Sequence, residues 1–145
     1  QQQQSALPDA AYGPPGRLDS RGMSSGDTNV SVIINTDVRN FSLASSLGTD
    51  PTSAAEALLS KRKNPTKLIS ASKEVRGDGN IPVYQFEYTV DRGEKFKPLR
   101  SISVVAGTAH GDAFVTLTVV SLDEEWEKRL VDERLRRVAG SFKLV

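Results

Sequence analysis

The chain contains few side chains that could catalyse a reaction or hold a cofactor. His110 is the only histidine, and it lies with Asp112 in the predicted turn "TAHGD". A histidine can act as a general base for a serine, but no nucleophile elbow surrounds this one. The His110/Asp112 pair also makes at most a weak metal site, because two ligands in a flexible turn leave most of the coordination shell unfilled. We therefore predict no catalytic residue, no metal ligands and no cofactor from the residues themselves.

Other candidate groups have structural explanations. The glycines in "RGDGN" (residues 76–80) follow a predicted strand but precede no helix, so they indicate a hairpin turn instead of a phosphate-binding loop. The carboxylates within residues 123–127 lie where a helix is expected to begin, and there they suit the helix dipole. The chain has no cysteine, which excludes thiol nucleophiles, disulfides and zinc–thiolate sites. An enzyme is therefore not expected.

Two basic segments are stronger candidates for a functional surface. "KRKNPTK" (residues 61–67) contains no acidic residue, and "DRGEKFKPLR" (residues 91–100) places cations around Phe96. They are either solvated ends of a helix and a hairpin, or a docking face for an acidic protein partner. Nucleic acid is not expected, because Phe96 alone could stack on a base and the net charge is only +1. The candidate partner-binding residues are Lys61, Arg62, Lys63, Lys67, Arg92, Lys95, Lys97 and Arg100.

The composition divides the chain into two parts. Residues 1–26 are rich in Gln, Pro and Gly and have few large apolar side chains, so they are predicted to form a flexible arm. Residues 27–145 are predicted to form one domain that is large enough to bury a core. No apolar run approaches the roughly 20 residues that a membrane-spanning helix needs, so no transmembrane span is expected.

The domain has alternating strand and helix patterns. "NVSVIIN" (residues 29–35) predicts a strand, and four more strands are predicted at residues 67–76, 83–91, 99–107 and 113–121. Asp50 and Pro51 mark the start of a helix over residues 52–63, and apolar spacing from Trp126 to Val138 predicts a last helix that stops at Gly140. Because the connections between consecutive strands are short, we expect an antiparallel sheet covered by helices, an α+β fold.

Several of these segments together resemble the PsbP family, the extrinsic proteins of the thylakoid lumen with their PsbP-like and PsbP-domain relatives. The segments are "NVSV" (residues 29–32), "YQFEYTV" (residues 84–90) and the "SFKLV" end (residues 141–145) after the last helix. The resemblance extends over residues 27–145, which makes that range a PsbP-like domain. It implies an αβα sandwich without enzymatic activity, which acts through contact with another protein.

The N-terminal part departs from the family pattern. Family members usually carry a strand pair of the "GFxFxYPxxW" type ahead of the "NVSV" strand, and residues 1–26 have neither the alternating aromatic pattern nor a tryptophan. We therefore expect the first hairpin of the family to be missing. The strand at residues 29–35 would then be an exposed edge, which native proteins usually protect.

The resemblance also implies a function and a location. It implies a non-enzymatic accessory protein of the chloroplast thylakoid lumen, peripheral on the membrane, which docks on a photosynthetic complex. Photosystem II is the favoured partner, with the protein acting either as an extrinsic subunit of the oxygen-evolving side or as an assembly or repair factor. Photosystem I assembly and a lumenal role in the chloroplast NADH dehydrogenase-like complex are alternatives, and an association with calcium is implied by the resemblance alone.

An alternative of another class follows from the expected shape of the sheet. A small-ligand or metal carrier would use the concave face of the sheet, and it would show a deep apolar pocket with a few convergent polar groups. A flat charged face would instead favour docking on a protein.

Overall fold

The structure, a computed structural model, describes residues 10–12, 28–36, 48–77, 79, 81–108 and 111–144. These residues form strands, two α-helices and a short 3₁₀ helix. In chain order the elements are β1 (Ala10–Tyr12), β2 (Asn29–Asn35), α1 (Pro51–Leu59), β3 (Thr66–Arg76), β4 (Ile81–Val90), β5 (Leu99–Gly107), β6 (Phe114–Leu122), the 3₁₀ helix (Asp123–Glu127) and α2 (Arg129–Ser141).

All six strands lie in one antiparallel sheet, in the order β1-β2-β6-β5-β4-β3. The four consecutive strands from β3 to β6 form a meander, as their short connections predict, and their bounds agree closely with the predicted strands. β2 pairs with β6 from the other side, with Val32 opposite Leu117. In β3 the register shifts between Leu68 and Ser70, a β-bulge on an edge strand.

A helix covers each face of the sheet. On one face, α1 packs against the sheet through Ala54, Ala55 and Leu59. Its partners are Val105 of β5 and alternate residues of β4, namely Tyr84, Phe86, Tyr88 and Val90. On the other face, α2 and the 3₁₀ helix pack against the remaining apolar positions of the sheet through Leu135, Ala139 and Trp126. The least exposed of these sheet positions are Val83, Ile102, Val104, Ala106 and Val119. The alternation of each strand therefore fills two cores, and the predicted α+β fold, an αβα sandwich, is confirmed.

Local sequence explains where α1 begins. The Asp50 carboxylate accepts hydrogen bonds from the backbone N–H of Ser53 at 3.3 Å and from its hydroxyl at 2.7 Å, and Pro51 occupies the first turn. These bonds hold the pKa of Asp50 below its ordinary value, because they favour the ionised carboxylate. The helix ends at Leu59, earlier than predicted, because the Arg62 N–H donates to the Leu59 carbonyl at 3.0 Å, a three-residue spacing that replaces the four-residue spacing of an α-helix.

The last helix differs from its prediction at both ends. Trp126 belongs to the 3₁₀ helix, and Lys128 adopts an extended conformation that separates this helix from α2. At the other end, α2 continues through Gly140 to Ser141, so Gly140 is not the predicted stop. Arg76 supplies a different ending, because its guanidinium donates to the carbonyls of Ala139 at 2.8 Å and Phe142 at 3.0 Å.

A short strand lies within the segment that is predicted as a flexible arm. Ala10–Tyr12 pairs with β2, with Ala10 opposite Val32 and Tyr12 opposite Val30. β2 is therefore not an uncovered edge along this stretch, which the composition of residues 1–26 did not indicate. Most of that segment lies outside the described residues, so the domain boundary at residues 26 and 27 stays a prediction. Neither α1 nor α2, the α-helices of the described ranges, is long and apolar enough to cross a membrane.

Candidate functional site

The structure brings the two basic segments together at one end of the sandwich. Residues 61–67 lead into the start of β3, and residues 91–98, here called the β4–β5 loop, leave the end of β4. The two ends are adjacent because β3 and β4 are antiparallel, with Thr66 opposite Val90. The Asp91 N–H donates to the Pro65 carbonyl at 2.9 Å and joins the two segments directly. The two basic segments therefore lie side by side and not on separate parts of the protein.

The first segment presents its lysines to solvent. We call Lys61, Arg62, Lys63 and Lys67 the basic surface; all four are exposed. Arg62 also anchors this surface to the sheet, because its guanidinium lies 4.9 Å from the centre of the Tyr88 ring and donates to the Tyr88 hydroxyl at 2.7 Å. Tyr88 is buried, and its hydroxyl lies 3.0 Å from the Ser103 hydroxyl, so the contact continues into the core. The ammonium groups are thereby left available for a partner.

The β4–β5 loop uses some of its cations to hold its own shape. Arg92 donates from Nε to the Lys97 carbonyl at 2.8 Å, and its guanidinium lies 5.5 Å from the centre of the Phe96 ring. Gly93 has a φ of 87°, a conformation that side chains disfavour, and its N–H donates to the Asp91 carboxylate at 2.8 Å. Lys97 forms an ion pair with Glu124 at 2.7 Å. Lys95 is exposed, and it extends the basic surface across the loop.

Arg100 is part of the interior and not of this surface. It binds the carboxylate of Glu87 on β4, and Arg136 of α2 binds the same carboxylate, with Nη1 2.8 Å from Oε1. Both guanidinium groups lie against the Trp126 ring, at 5.5 Å and 5.7 Å from its centre. The Trp126 indole N–H donates to the Arg100 carbonyl at 3.0 Å. This cluster fixes α2 and the 3₁₀ helix to the sheet.

Glu87 stays ionised within the cluster. Only 5% of the residue is exposed, and burial on its own would raise the pKa of its carboxyl group. The hydrogen bonds and positive charges of Arg136 and Arg100 outweigh burial, so the pKa of Glu87 lies below its ordinary value. The same contacts raise the pKa of Arg136. The cluster therefore pairs a buried carboxylate with two guanidinium groups.

This cluster is not among the sites that the sequence predicts. A signal was present, because a carboxylate in the middle of a strand that is covered on both faces must find a cation. Arg100 was assigned to the docking face because it follows a run of cations in the chain. In the sheet, Arg100 lies opposite Ser121, next to the 3₁₀ helix, and its side chain therefore faces the interior.

The predicted His110/Asp112 pair is described only in part. His110 lies outside the described residues; the side chain of its predicted partner Asp112 accepts a hydrogen bond from the Thr108 hydroxyl at 2.7 Å. Within the described ranges, no three acidic or histidine side chains are grouped to hold a metal ion.

A groove lies at the end of the sandwich opposite the basic surface. Its volume is about 450 Å³, and it lies between the end of β3 and the C-terminal end of α2. The lining residues are Glu74, Arg76, Gly77, Gln85, Gly140, Ser141, Phe142 and Lys143. It is open and mostly polar, unlike the deep apolar pocket on a sheet face that a carrier requires.

Comparison with known proteins supports the fold. The solution structure of the cyanobacterial PsbP protein, CyanoP, from Synechocystis sp. PCC 6803 is similar, with a TM-score of 0.61 and 23% sequence identity, over 82% of this chain and 68% of that chain. A protein of unknown function from Pseudomonas aeruginosa, PA94, described as a putative regulator, has a TM-score of 0.54 at 13% identity, over 94% of this chain and 82% of that chain. No curated protein sequence matches the chain.

The family assignment rests on a sequence comparison. The model of the PsbP family matches residues 13–144, which is nearly the whole chain and begins inside the segment predicted as an arm. The predicted resemblance is therefore confirmed: the chain belongs to the PsbP family.

Proposed function

We propose that this protein is a non-enzymatic accessory protein of the chloroplast thylakoid lumen, peripheral on the membrane, that docks on photosystem II. Membership in the PsbP family supports a place beside a photosystem. The observation that carries docking is the meeting of both basic segments at one end of the sandwich, joined by the Asp91–Pro65 hydrogen bond. In this proposal the protein acts as an extrinsic subunit of the oxygen-evolving side or as an assembly or repair factor.

The contact surface consists of the exposed cations at that end. Lys61, Lys63, Lys67 and Lys95 lie at the surface and form no ion pair within the described ranges, so they can attract an acidic partner over a distance comparable to the Debye length. Arg62 stiffens the surface through Tyr88. We leave Arg100 out of the surface, because its guanidinium is committed to Glu87.

Affinity capture tests the proposal. The tagged full chain is incubated with gently solubilised thylakoids, and the captured proteins are identified by mass spectrometry at low and high salt. We expect photosystem II subunits at low salt and their loss at high salt, because exposed charges are screened. A Lys61→Gln/Lys63→Gln variant should lose most of this capture. An Arg134→Gln/Lys143→Gln variant removes the same number of exposed cations elsewhere on the protein and should keep it.

Other results would change the proposed partner or overturn the proposed docking. Recovery of photosystem I subunits or of subunits of the NADH dehydrogenase-like complex would replace photosystem II as the partner. Recovery of no photosynthetic complex would overturn docking. The location is tested separately, since a lumenal protein is protected from added protease in intact thylakoids and becomes sensitive when detergent opens them.

A further inference from the structure

The β4–β5 loop lies between two surfaces of opposite charge. On one side, Asp91 is bound to Pro65 next to the basic surface. On the other side, the Asp123 N–H donates to the Pro98 carbonyl at 2.9 Å, which joins the loop to the 3₁₀ helix. That helix carries a group of carboxylates that we call the acidic surface: Asp123, Glu124, Glu125 and Glu127. The order across this end of the sandwich is therefore basic surface, loop, acidic surface.

Phe96 is an exposed aromatic residue at the centre of this arrangement. The residue is 61% exposed, although a phenyl ring gains free energy when it leaves water. The ring is also held in place, because Arg92 packs against it and binds the Lys97 carbonyl directly after it. The hydrogen bonds at Asp91 and Asp123 fix both ends of the loop. A ring presented on a stiff loop loses little conformational entropy when it binds, which is typical of an interface anchor.

The acidic surface keeps part of its charge. Glu124 pairs with Lys97 and Glu125 pairs with Lys128 at 2.9 Å. Glu127 is exposed and forms no ion pair among the residues that the structure describes. An extended anionic surface such as a lipid bilayer would attract Lys61 and Lys63 but repel the carboxylates beside the loop. A protein partner can be patterned to match both.

We infer that this end of the sandwich is a polarised docking surface anchored by Phe96. The partner is a protein that presents, in order, an acidic patch to the basic surface, an apolar recess to Phe96 and a basic patch to Asp123 and Glu127. This inference rests on the proposed docking function and defines its geometry. In this geometry the acidic surface is attracted to the basic patch of the partner. If the protein docks through its cations alone, the acidic surface is instead repelled by the acidic partner. The two surfaces together fix the orientation of the docked protein.

Rebinding to thylakoid membranes that were stripped with high salt tests the anchor. The purified full chain is titrated against these membranes, and bound protein is measured after sedimentation. Phe96→Ala should weaken binding roughly tenfold to thirtyfold, as expected for an interface anchor. Because Phe96 is exposed, the variant should unfold at the wild-type urea midpoint, and Phe96→Leu should recover part of the binding. Equal binding by Phe96→Ala would overturn the anchor.

Whether the removal of carboxylates from the acidic surface weakens or strengthens binding tests the charge pattern of the docking surface. Asp123→Asn/Glu127→Gln removes two carboxylates that form no ion pair with another described residue, and it should weaken binding roughly threefold. If cations alone make the contact, the same variant should bind more tightly, and that result would overturn the inference. Glu56→Gln/Glu133→Gln removes the same number of carboxylates from exposed positions on α1 and α2, so it is the control for net charge and should leave binding unchanged.

The outcomes separate this inference from the proposed function. Failure of the wild-type chain to rebind would overturn both. Rebinding could be sensitive to salt and yet unchanged in both Phe96→Ala and Asp123→Asn/Glu127→Gln. That result would overturn the polarised docking surface but not the proposed function. Vesicles of phosphatidylcholine and phosphatidylglycerol in equal parts provide the lipid arm of the test. Binding to these vesicles as tight as to the membranes would identify lipid as the partner and overturn the inference of a patterned protein surface.

Discussion

Arg136 of α2 donates to both carboxylate oxygens of Glu87 on β4, with Nη1 2.8 Å from Oε1 and Nη2 3.3 Å from Oε2. Arg100 binds the same carboxylate from within the sheet, so one buried anion holds a helix and two strands together. The Trp126 ring lies against both guanidinium groups. The cluster therefore adds a charged attachment to the apolar packing of Leu135 and Ala139, which also holds α2 on the sheet.

Glu87→Gln should therefore destabilise the protein. The amide keeps the size of the side chain but removes the charge that binds Arg100 and Arg136, and hydrogen bonds to charged groups contribute roughly 1.5–3 kcal/mol each. We expect the free energy of unfolding to fall by roughly 2–3 kcal/mol in urea titrations. Glu94→Gln, an exposed position on the β4–β5 loop, is the control and should change it by less than about 0.5 kcal/mol. A Glu87→Gln value within that range would contradict a structural role for the cluster.

The contribution of Glu87 should depend on pH with a defined sign. The pKa of Glu87 is lower in the folded protein than its ordinary value of 4.5, so the folded state favours the ionised form. The stabilisation is fully present above the ordinary carboxyl pKa and is lost as the pH falls through the lower folded value. The difference in unfolding free energy between wild type and Glu87→Gln should be constant above about pH 5.5 and shrink below about pH 4.5. A difference that grows as the pH falls would contradict the lowered pKa.

Much of the fold was predictable because its signals are local. Asp50 and Pro51 mark the start of α1 through their own backbone geometry, and the alternation in β4 identifies the residues that face α1. The meeting of residues 61–67 with the β4–β5 loop was also within reach. It follows from the antiparallel hairpin of β3 and β4, which must bring the start of one strand to the end of the other.

The parts that were not predicted depend on tertiary contacts. Lys95 and Arg100 are both cations near a loop, but only Arg100 lies where Glu87 and Trp126 can reach it. Gly140 has the residue type of a helix stop, yet the helix ends one residue later because Arg76 arrives from β3 to bind the last carbonyls. Neither the position of Arg100 nor the end of α2 can be predicted from adjacent residues, since the residues that they contact are distant in sequence.

Arg76 should be needed to hold the C-terminal end of the chain. Only 11% of its side chain is exposed, and its donors bind the carbonyls of Ala139 and Phe142 as well as the Gln85 amide oxygen at 2.7 Å. Arg76→Lys keeps the charge, but one ammonium group cannot make these contacts at once. We expect a loss of roughly 1–3 kcal/mol in unfolding free energy.

Hydrogen exchange locates this effect. Amides within residues 139–144 should exchange faster in Arg76→Lys than in wild type, because the tail loses its attachment to β3. Arg134→Lys, on the exposed face of α2, should change neither the exchange nor the stability. Unchanged protection of residues 139–144 in Arg76→Lys would show that apolar packing of Phe142 and Leu144 is sufficient to hold the tail.

Two glycine substitutions should have opposite effects. Gly77 has a φ of 75°, and a Cβ added there would lie 3.4 Å from the Leu144 carbonyl oxygen, so Gly77→Ala should lower the unfolding free energy by about 1–2 kcal/mol. Gly140 lies inside α2, where an added Cβ would have no other atom within 4 Å. Gly140→Ala should raise the unfolding free energy by up to about 1 kcal/mol, because alanine is the better helix former. A destabilising Gly140→Ala would show that α2 ends before this residue, as the sequence pattern predicted.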